Sequence, residues 1–169
     1  MLFNTIDRRS QLSKLPKNFW STLKDSDLSM EDKIVLAYLY TSPPANRLGY
    51  FQCSPSAIAS ALEMEIDNVY LSLFSLRNHN LLKFGLIQNV IYIPHYLEQF
   101  PIKNRNQGKH IQRIFNDILI FFIPNDTQLL LDLIRNLLKV GHLSPLFRKS
   151  LKKLFYGIQI VMTEGAKDE

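Results

Sequence analysis

The chain has 169 residues, 46% of them hydrophobic, with a formal net charge of +5 and an isoelectric point near 9.3. That apolar content is enough for a folded core and excludes wholesale disorder, while the basic balance fits a nucleic-acid partner. The single cysteine, Cys53, excludes an internal disulfide and suits a reducing cytoplasm. The start, MLFNTIDRRSQLSKLPK, lacks the uninterrupted apolar stretch of a secretory signal. The longest strongly apolar run, Ile118 to Ile123, is far too short to cross a bilayer. The expectation is a cytoplasmic protein with no membrane partner.

Residues 1–14 are polar and mixed in charge, with Arg8, Arg9 and Lys14, and read as a loose arm. Leu15-Pro16-Lys17-Asn18-Phe19-Trp20 places two aromatics after a proline, which reads as an anchor packed on the core. In LSMEDKIVLAYLYTSPP, Ser29 is placed to cap a helix with Asp32 in its first turn. Ile34 and Leu36 to Leu39 give that helix a broad apolar face, and Pro43 and Pro44 stop it near Thr41. Ala45 to Gly49 then forms a turn, and Tyr50-Phe51-Gln52-Cys53 a short strand.

Ser54 caps the next helix, with Pro55 at its first position, where the missing N–H costs nothing. Ala57, Ile58, Ala61 and Leu62 form its apolar side. Glu63 to Ile66 makes a turn, and Asp67 is expected to cap a second helix from about Asn68 to Asn78. Val69, Leu73 and Leu76 lie on its inward face, flanked by Tyr70 and Arg77. Opposite them come Asn68, Leu71, Ser75 and Asn78, with Ser72 and His79 at the margin. Asn can bond adenine at two points and Ser can serve either base type, so Asn68, Ser72, Ser75 and Asn78 are the candidate base contacts. An ordinary solvated face is the alternative. Asn80 ends the helix in a left-handed conformation. Leu81 to Leu86 and Val90 to Pro94 then form a hairpin around Ile87-Gln88-Asn89, with Lys83 its one cation.

After the hairpin, IKNRNQGKHIQR carries Lys103, Arg105, Lys109 and Arg113 with no acid among them. This is the strongest candidate for a phosphate-contacting strip, against the alternative of a solvated basic loop. From His110 the pattern turns helical, with Ile111, Ile114, Phe115, Ile118, Leu119 and Phe122 on one face as far as Pro124. A second helix, capped by Asn125 or Asp126, runs through Val140 and stops at Gly141. It is apolar nearly all round, which requires burial on several sides, either within the monomer or at a homodimer interface. Ser144-Pro145 opens a third helix, with Leu146, Phe147, Leu151, Leu154 and Phe155 inward and Arg148, Lys149, Lys152 and Lys153 outward.

The succession LPKNFW, LAYLYTSP, GYFQCSPSAIASALEMEIDNVYLSLFSLRNHNLLKF and VIYIPHYLEQFP resembles the winged-helix N-terminal domains of phage and prophage replication proteins, the DnaD-like and replication-protein-O-like initiators. The likeness runs from about Leu15 to Asn116. It rests on an aromatic anchor, a Leu-rich first helix, a Gly-hydrophobic strand, a helix-turn-helix closed by a Leu-Leu step, and a strand ending in an aromatic and a proline before a basic segment. The resemblance implies double-stranded DNA as partner at an origin or primosome, with recruitment of a helicase or another replication protein. In a helix-turn-helix the second helix enters the major groove.

Catalysis finds little support. His79, His95, His110 and His142 are far apart with no metal-ligand spacing, no cysteine pair exists, and no phosphate-binding glycine loop occurs. No cofactor, metal or catalytic residue is assigned. The expected fold is mainly α with a small β-hairpin: an arm over 1–14, a winged helix-turn-helix over 15–100, a basic linker and C-terminal helical extension over 101–162, and a tail over 163–169. The expected function is DNA binding in replication initiation. The alternatives are a transcriptional regulator of the same fold, or a protein–protein adaptor with Leu71 as a contact residue.

Overall fold

In the computed structural model, residues 14–42, 44–85, 89–121 and 127–165 are described. Arg8 and Arg9 of the N-terminal arm, Leu86 to Gln88 at the hairpin tip and the cap expected at Asn125 or Asp126 lie outside them. The described residues form eight helices and three strands, so the chain is mainly helical with one small antiparallel sheet. They group into two compact units that divide between Ile93 and Pro94.

The first unit runs α1 (Phe19–Thr22), α2 (Met30–Thr41), β1 (Tyr50–Gln52), α3 (Pro55–Leu62), α4 (Ile66–Asn78), β2 (Lys83–Gly85) and β3 (Val90–Tyr92). Local chemistry explains the helix starts. Ser29 Oγ accepts from Asp32 N at 3.0 Å while Ser29 N donates to Asp32 Oδ2 at 3.1 Å, a reciprocal cap that satisfies two orphan donors of α2. Ser54 Oγ accepts from Ala57 N, and Pro55 occupies the first turn of α3. Glu63, with φ 53°, ends α3 in the left-handed region, and Asn80, with φ 56°, does the same after α4. α4 starts at Ile66, earlier than expected. Glu65 stands at its N-cap without a side-chain bond, and Asp67 lies inside the first turn, where its charge faces the helix dipole favourably.

The sheet order is β1-β3-β2, with Tyr50 opposite Tyr92 and Lys83 also opposite Tyr92. Every residue of β3 is buried, because β3 is the central strand. α2 packs against α4 and α3, and Val35, Leu39, Ile58, Val69, Leu73 and Leu76 make the core between them. The aromatic anchor is half as expected. Phe19 is buried edge-on to Tyr40 at 5.9 Å, but Trp20 is 52% exposed, so the tryptophan caps Phe19 from outside instead of filling the core.

The second unit holds α5 (Tyr96–Gln99), α6 (Arg105–Phe121), α7 (Thr127–Lys139) and α8 (Pro145–Gly165). It begins at Pro94, whose carbonyl accepts from Asn136 Nδ2 on α7. α7 is buried over Leu129 to Ile134 and at Leu137, as its all-round apolar pattern requires. Its one acid, Asp132, is nearly buried and bonds Arg135 Nη1 at 2.8 Å and Gln128 Nε2 at 3.2 Å. Arg135 in turn lies over the Phe155 ring, 5.6 Å from its centroid, linking α7 to α8. Phe115 of α6 meets Phe147 of α8 edge-on at 5.7 Å.

Two readings of α8 change. Leu146, expected inward, is 80% exposed. Arg148, expected on the basic outer face, turns back to α7: Nη1 donates to Leu138 O at 2.8 Å, and Nη2 donates to Val140 O. It supplies donors and positive charge to the C-terminal carbonyls that α7 leaves unsatisfied. Arg148→Met, which keeps much of the aliphatic stem, is expected to cost about 1–2 kcal/mol, read as a lower urea midpoint. An unchanged midpoint would mean that water replaces the guanidinium at no cost.

Candidate interaction surfaces

Three features bear on function: the outer face of α4, the first turns of α6, and a cleft beside Cys53.

α4 turns a different face outward from the one its polar residues suggest. Ser72 is 2% exposed, and Ser75 Oγ donates to Asp32 Oδ2 of α2 at 2.8 Å. Asn68 is half-buried on the same flank. Ser72 therefore lies inside the fold and Ser75 is fastened to α2, whereas the sequence reading set Ser75 on the outer face and Ser72 at its margin. The physical reason for Ser75 is Asp32: a buried carboxylate on α2 draws its hydroxyl inward, because an unpaired charge there would be costly. Of the four candidates only Asn78 is exposed.

The outward face carries Ile66, Tyr70, Leu71 and Phe74, all exposed, with Leu71 at 67%. The acids Glu63, Glu65 and Asp67 are exposed around its N-terminal end, and Arg77 and His79 at its C-terminal end. This is an aromatic-aliphatic stripe with an acidic head. Residue spacing carries the signal that could have found it: Ile66, Tyr70, Phe74 and Arg77 recur at four-, four- and three-residue steps, a second stripe beside Val69-Leu73-Leu76. Lys83 is half-buried on β2.

The basic strip is helical from Arg105, five residues before the expected start. Asn104 Oδ1 accepts from Gln107 N at 3.0 Å, and Gln107 Oε1 accepts from Lys103 N at 2.8 Å, so this pair of amides caps the helix where the pattern alone reads loop. Helical spacing then aligns Arg105, Lys109 and Arg113 at i, i+4 and i+8. All three are exposed, as is Lys103 just ahead of them, while Ile111, Phe115 and Ile118 point inward. No acid occurs from Pro101 to Asn116. The stretch Pro94–Glu169 holds eleven Lys and Arg against seven Asp and Glu, and Met1–Ile93 nine against eight. The positive charge of the chain therefore resides mainly in the second unit, where Asp132 is held by Arg135 and Glu98 by His95 at 2.9 Å.

Tyr38, Pro44, Gln52, Cys53, Ser54 and Ala57 line an open cleft of about 390 Å³. Burial pushes the Cys53 thiol above its ordinary pKa, which disfavours the thiolate and with it nucleophilic chemistry. Tyr38 is raised too, by its own desolvation and then by Cys53. Among the described residues, no three His, Cys, Asp or Glu side chains come together as a metal site, and no helix is long and apolar enough to cross a membrane. Comparison of the chain with protein-family models, curated proteins and solved structures gives no match in any of the three.

Proposed function

We propose that the protein is a winged-helix DNA-binding protein of the replication-initiation type, in which the second unit supplies most of the grip on the phosphate backbone. The order α2-β1-α3-α4-β2-β3 with sheet order β1-β3-β2 supports the winged-helix reading, since it is a helix-turn-helix closed by a hairpin. The observation that carries the DNA reading is the stripe Arg105, Lys109 and Arg113 on one exposed flank of α6, preceded by Lys103. Cations at this spacing track a phosphate backbone without reading sequence. Asn78, exposed near the end of α4, is the residue of that helix left for base contact.

The test is titration of a labelled duplex at about 50 and about 200 mM salt. Wild-type protein is expected to bind with a steep salt dependence. Replacing Arg105, Lys109 and Arg113 together by Gln should lower the slope by about 0.9 for each phosphate no longer neutralised, on all duplexes alike. Absence of binding at low salt sinks the DNA reading. A footprint in an origin or an initiator-gene repeat favours replication; one in a promoter favours a transcriptional regulator. Recruitment of a helicase belongs to the same proposal and is tested by its co-purification with the full chain.

The exposed stripe on α4 favours a second reading, that of an adaptor. Its acidic head disfavours approach to DNA, whereas its apolar residues suit a protein partner with an apolar surface and a basic rim. Leu71→Ser with Phe74→Ser is expected to lower thermal stability only modestly, little from Leu71, which is 67% exposed, and more from Phe74, which is 44% exposed. If α4 instead contacts DNA, the same pair alters duplex affinity. Loss of a co-purifying partner at constant duplex affinity identifies the adaptor surface.

A further inference from the structure

The outward face of α4 carries opposite charges at its two ends. Glu63, Glu65 and Asp67 are exposed at its head and Arg77 at its tail. No Lys or Arg occurs from Leu48 to Leu76, and no acid from Asn68 to Leu97. Beside and between these charges stand Ile66, Tyr70, Leu71 and Phe74, all exposed. Asp67, Tyr70, Leu71, Phe74 and Arg77 fall within about 120° of one another around the helix axis, so charged and apolar residues share one strip. The helix dipole favours this placing of the charges. It leaves the ionic groups themselves unpaired: among the described residues, neither the Asp67 carboxylate nor the Arg77 guanidinium has a hydrogen-bond or ion-pair partner in the chain.

We propose that this strip is a self-association surface, on which α4 of a second copy lies antiparallel, the two helices crossing near position 72. Charge selects the occupant and the direction, because the strip read backwards is its own complement. An antiparallel crossing at 72 sets position 67 against 77 and position 70 against 74. Two Tyr70–Phe74 contacts then make the apolar centre, with Leu71 beside the twofold axis. Asp67 of each copy meets Arg77 of the other, so one contact pairs both free charges and closes the centre at either end. A parallel pair would set acid on acid and arginine on arginine. The contact is isologous, so it closes as a dimer and does not propagate. The inference rests on the adaptor reading of α4, and the basic rim of that partner is here the tail of α4 itself. Pairing withdraws Asn78 from base contact, whereas Arg105, Lys109 and Arg113 belong to the other unit and take no part in it.

Sedimentation equilibrium on the full chain is expected to show a dimer of the 19.7 kDa chain at concentrations on the order of 100 µM, as suits an interface of one helix. Asp67→Lys and Arg77→Glu, each alone, set like charges against each other at both ends and should raise the dimer dissociation constant at least about ten-fold. Mixed in equal amounts, the two variants should associate again, because each presents to the other the opposite charge at both ends. That recovery separates a contact between copies from damage to the helix, which would stay with each chain. Leu71→Ser, at the most exposed point of the strip, should weaken association with little change in thermal midpoint. Duplex titration of the same variants keeps the two readings apart: loss of the dimer at unchanged duplex affinity places the effect between copies. A monomer at these concentrations, a dimer indifferent to both charge variants, or a mixture that stays monomeric overturns the proposal.

Discussion

Gly108→Ala is expected to destabilise the second unit by about 1–3 kcal/mol, although alanine ordinarily favours a helix interior over glycine by about 1 kcal/mol. The sign reverses because of what lies outside the helix. A Cβ on residue 108 would sit 2.2 Å from His142 O and 3.1 Å from His142 C. Both are backbone atoms, so no side chain can rotate away. His142 has φ 60° and belongs to the short turn between α7 and α8. Relief requires α6 to move away from that turn. The move would loosen Phe115 from Phe147 and disturb the base of the helix that presents Arg105, Lys109 and Arg113. Urea unfolding reads the loss, and amide exchange should place it in residues 94–165. Gly157→Ala is the internal control, since its Cβ meets nothing and should not destabilise the fold. If Gly108→Ala is as stable as wild type, the close approach of α6 to the turn is wrong.

Asp32→Ala is expected to cost the first unit about 2–3 kcal/mol. Asp32 is 6% exposed and joins two structures with one carboxylate. Its Oδ2 accepts from Ser29 N at 3.1 Å, closing the cap of α2, and from Ser75 Oγ at 2.8 Å, fastening α4 to α2. The cap contributes about 1 kcal/mol, and a hydrogen bond to a charged acceptor about 1.5–3 kcal/mol. Ser75→Ala removes only the second bond and should cost about 1–2 kcal/mol. A double-mutant cycle on Asp32 and Ser75 should therefore show coupling. Strictly additive losses would mean that the two side chains do not interact. Ser75→Ala also checks which face α4 turns inward: stability should fall while any duplex preference stays unchanged. A change in sequence preference without loss of stability would return Ser75 to the outer surface.

Much of the local structure was legible in the residues. The reciprocal cap at Ser29 and Asp32, the Ser54-Pro55 helix start, the left-handed Asn80 and the opening of α8 at Pro145 each follow from short-range geometry. Such features depend on a few adjacent residues, whose backbone donors must be satisfied whatever surrounds them. The α6 start escaped because its cap is made by amides, Asn104 and Gln107, inside a segment whose charges look like a loop.

Orientation was not legible in the same way. α4 bears one apolar stripe at Val69-Leu73-Leu76 and another at Ile66-Tyr70-Phe74, and its sequence ranks them only by polarity of the remainder. Val69, Leu73 and Leu76 are buried as the sequence places them; what it does not show is that the buried carboxylate of Asp32, 43 positions away, holds Ser75 inward while the second stripe is left exposed. Trp20, Leu146 and Arg148 follow the same rule: their hydrophobicity or charge predicts a side, but Phe19 takes the inner place, α8 turns Leu146 away, and the free carbonyls of α7 capture the guanidinium. The sequence alone determined where α2, α3 and α8 begin, because a side-chain cap or a first-turn proline is a local hydrogen-bond problem. Only the tertiary structure decided which face of each helix is left for a partner, because burial is set by residues distant in the chain competing for one core.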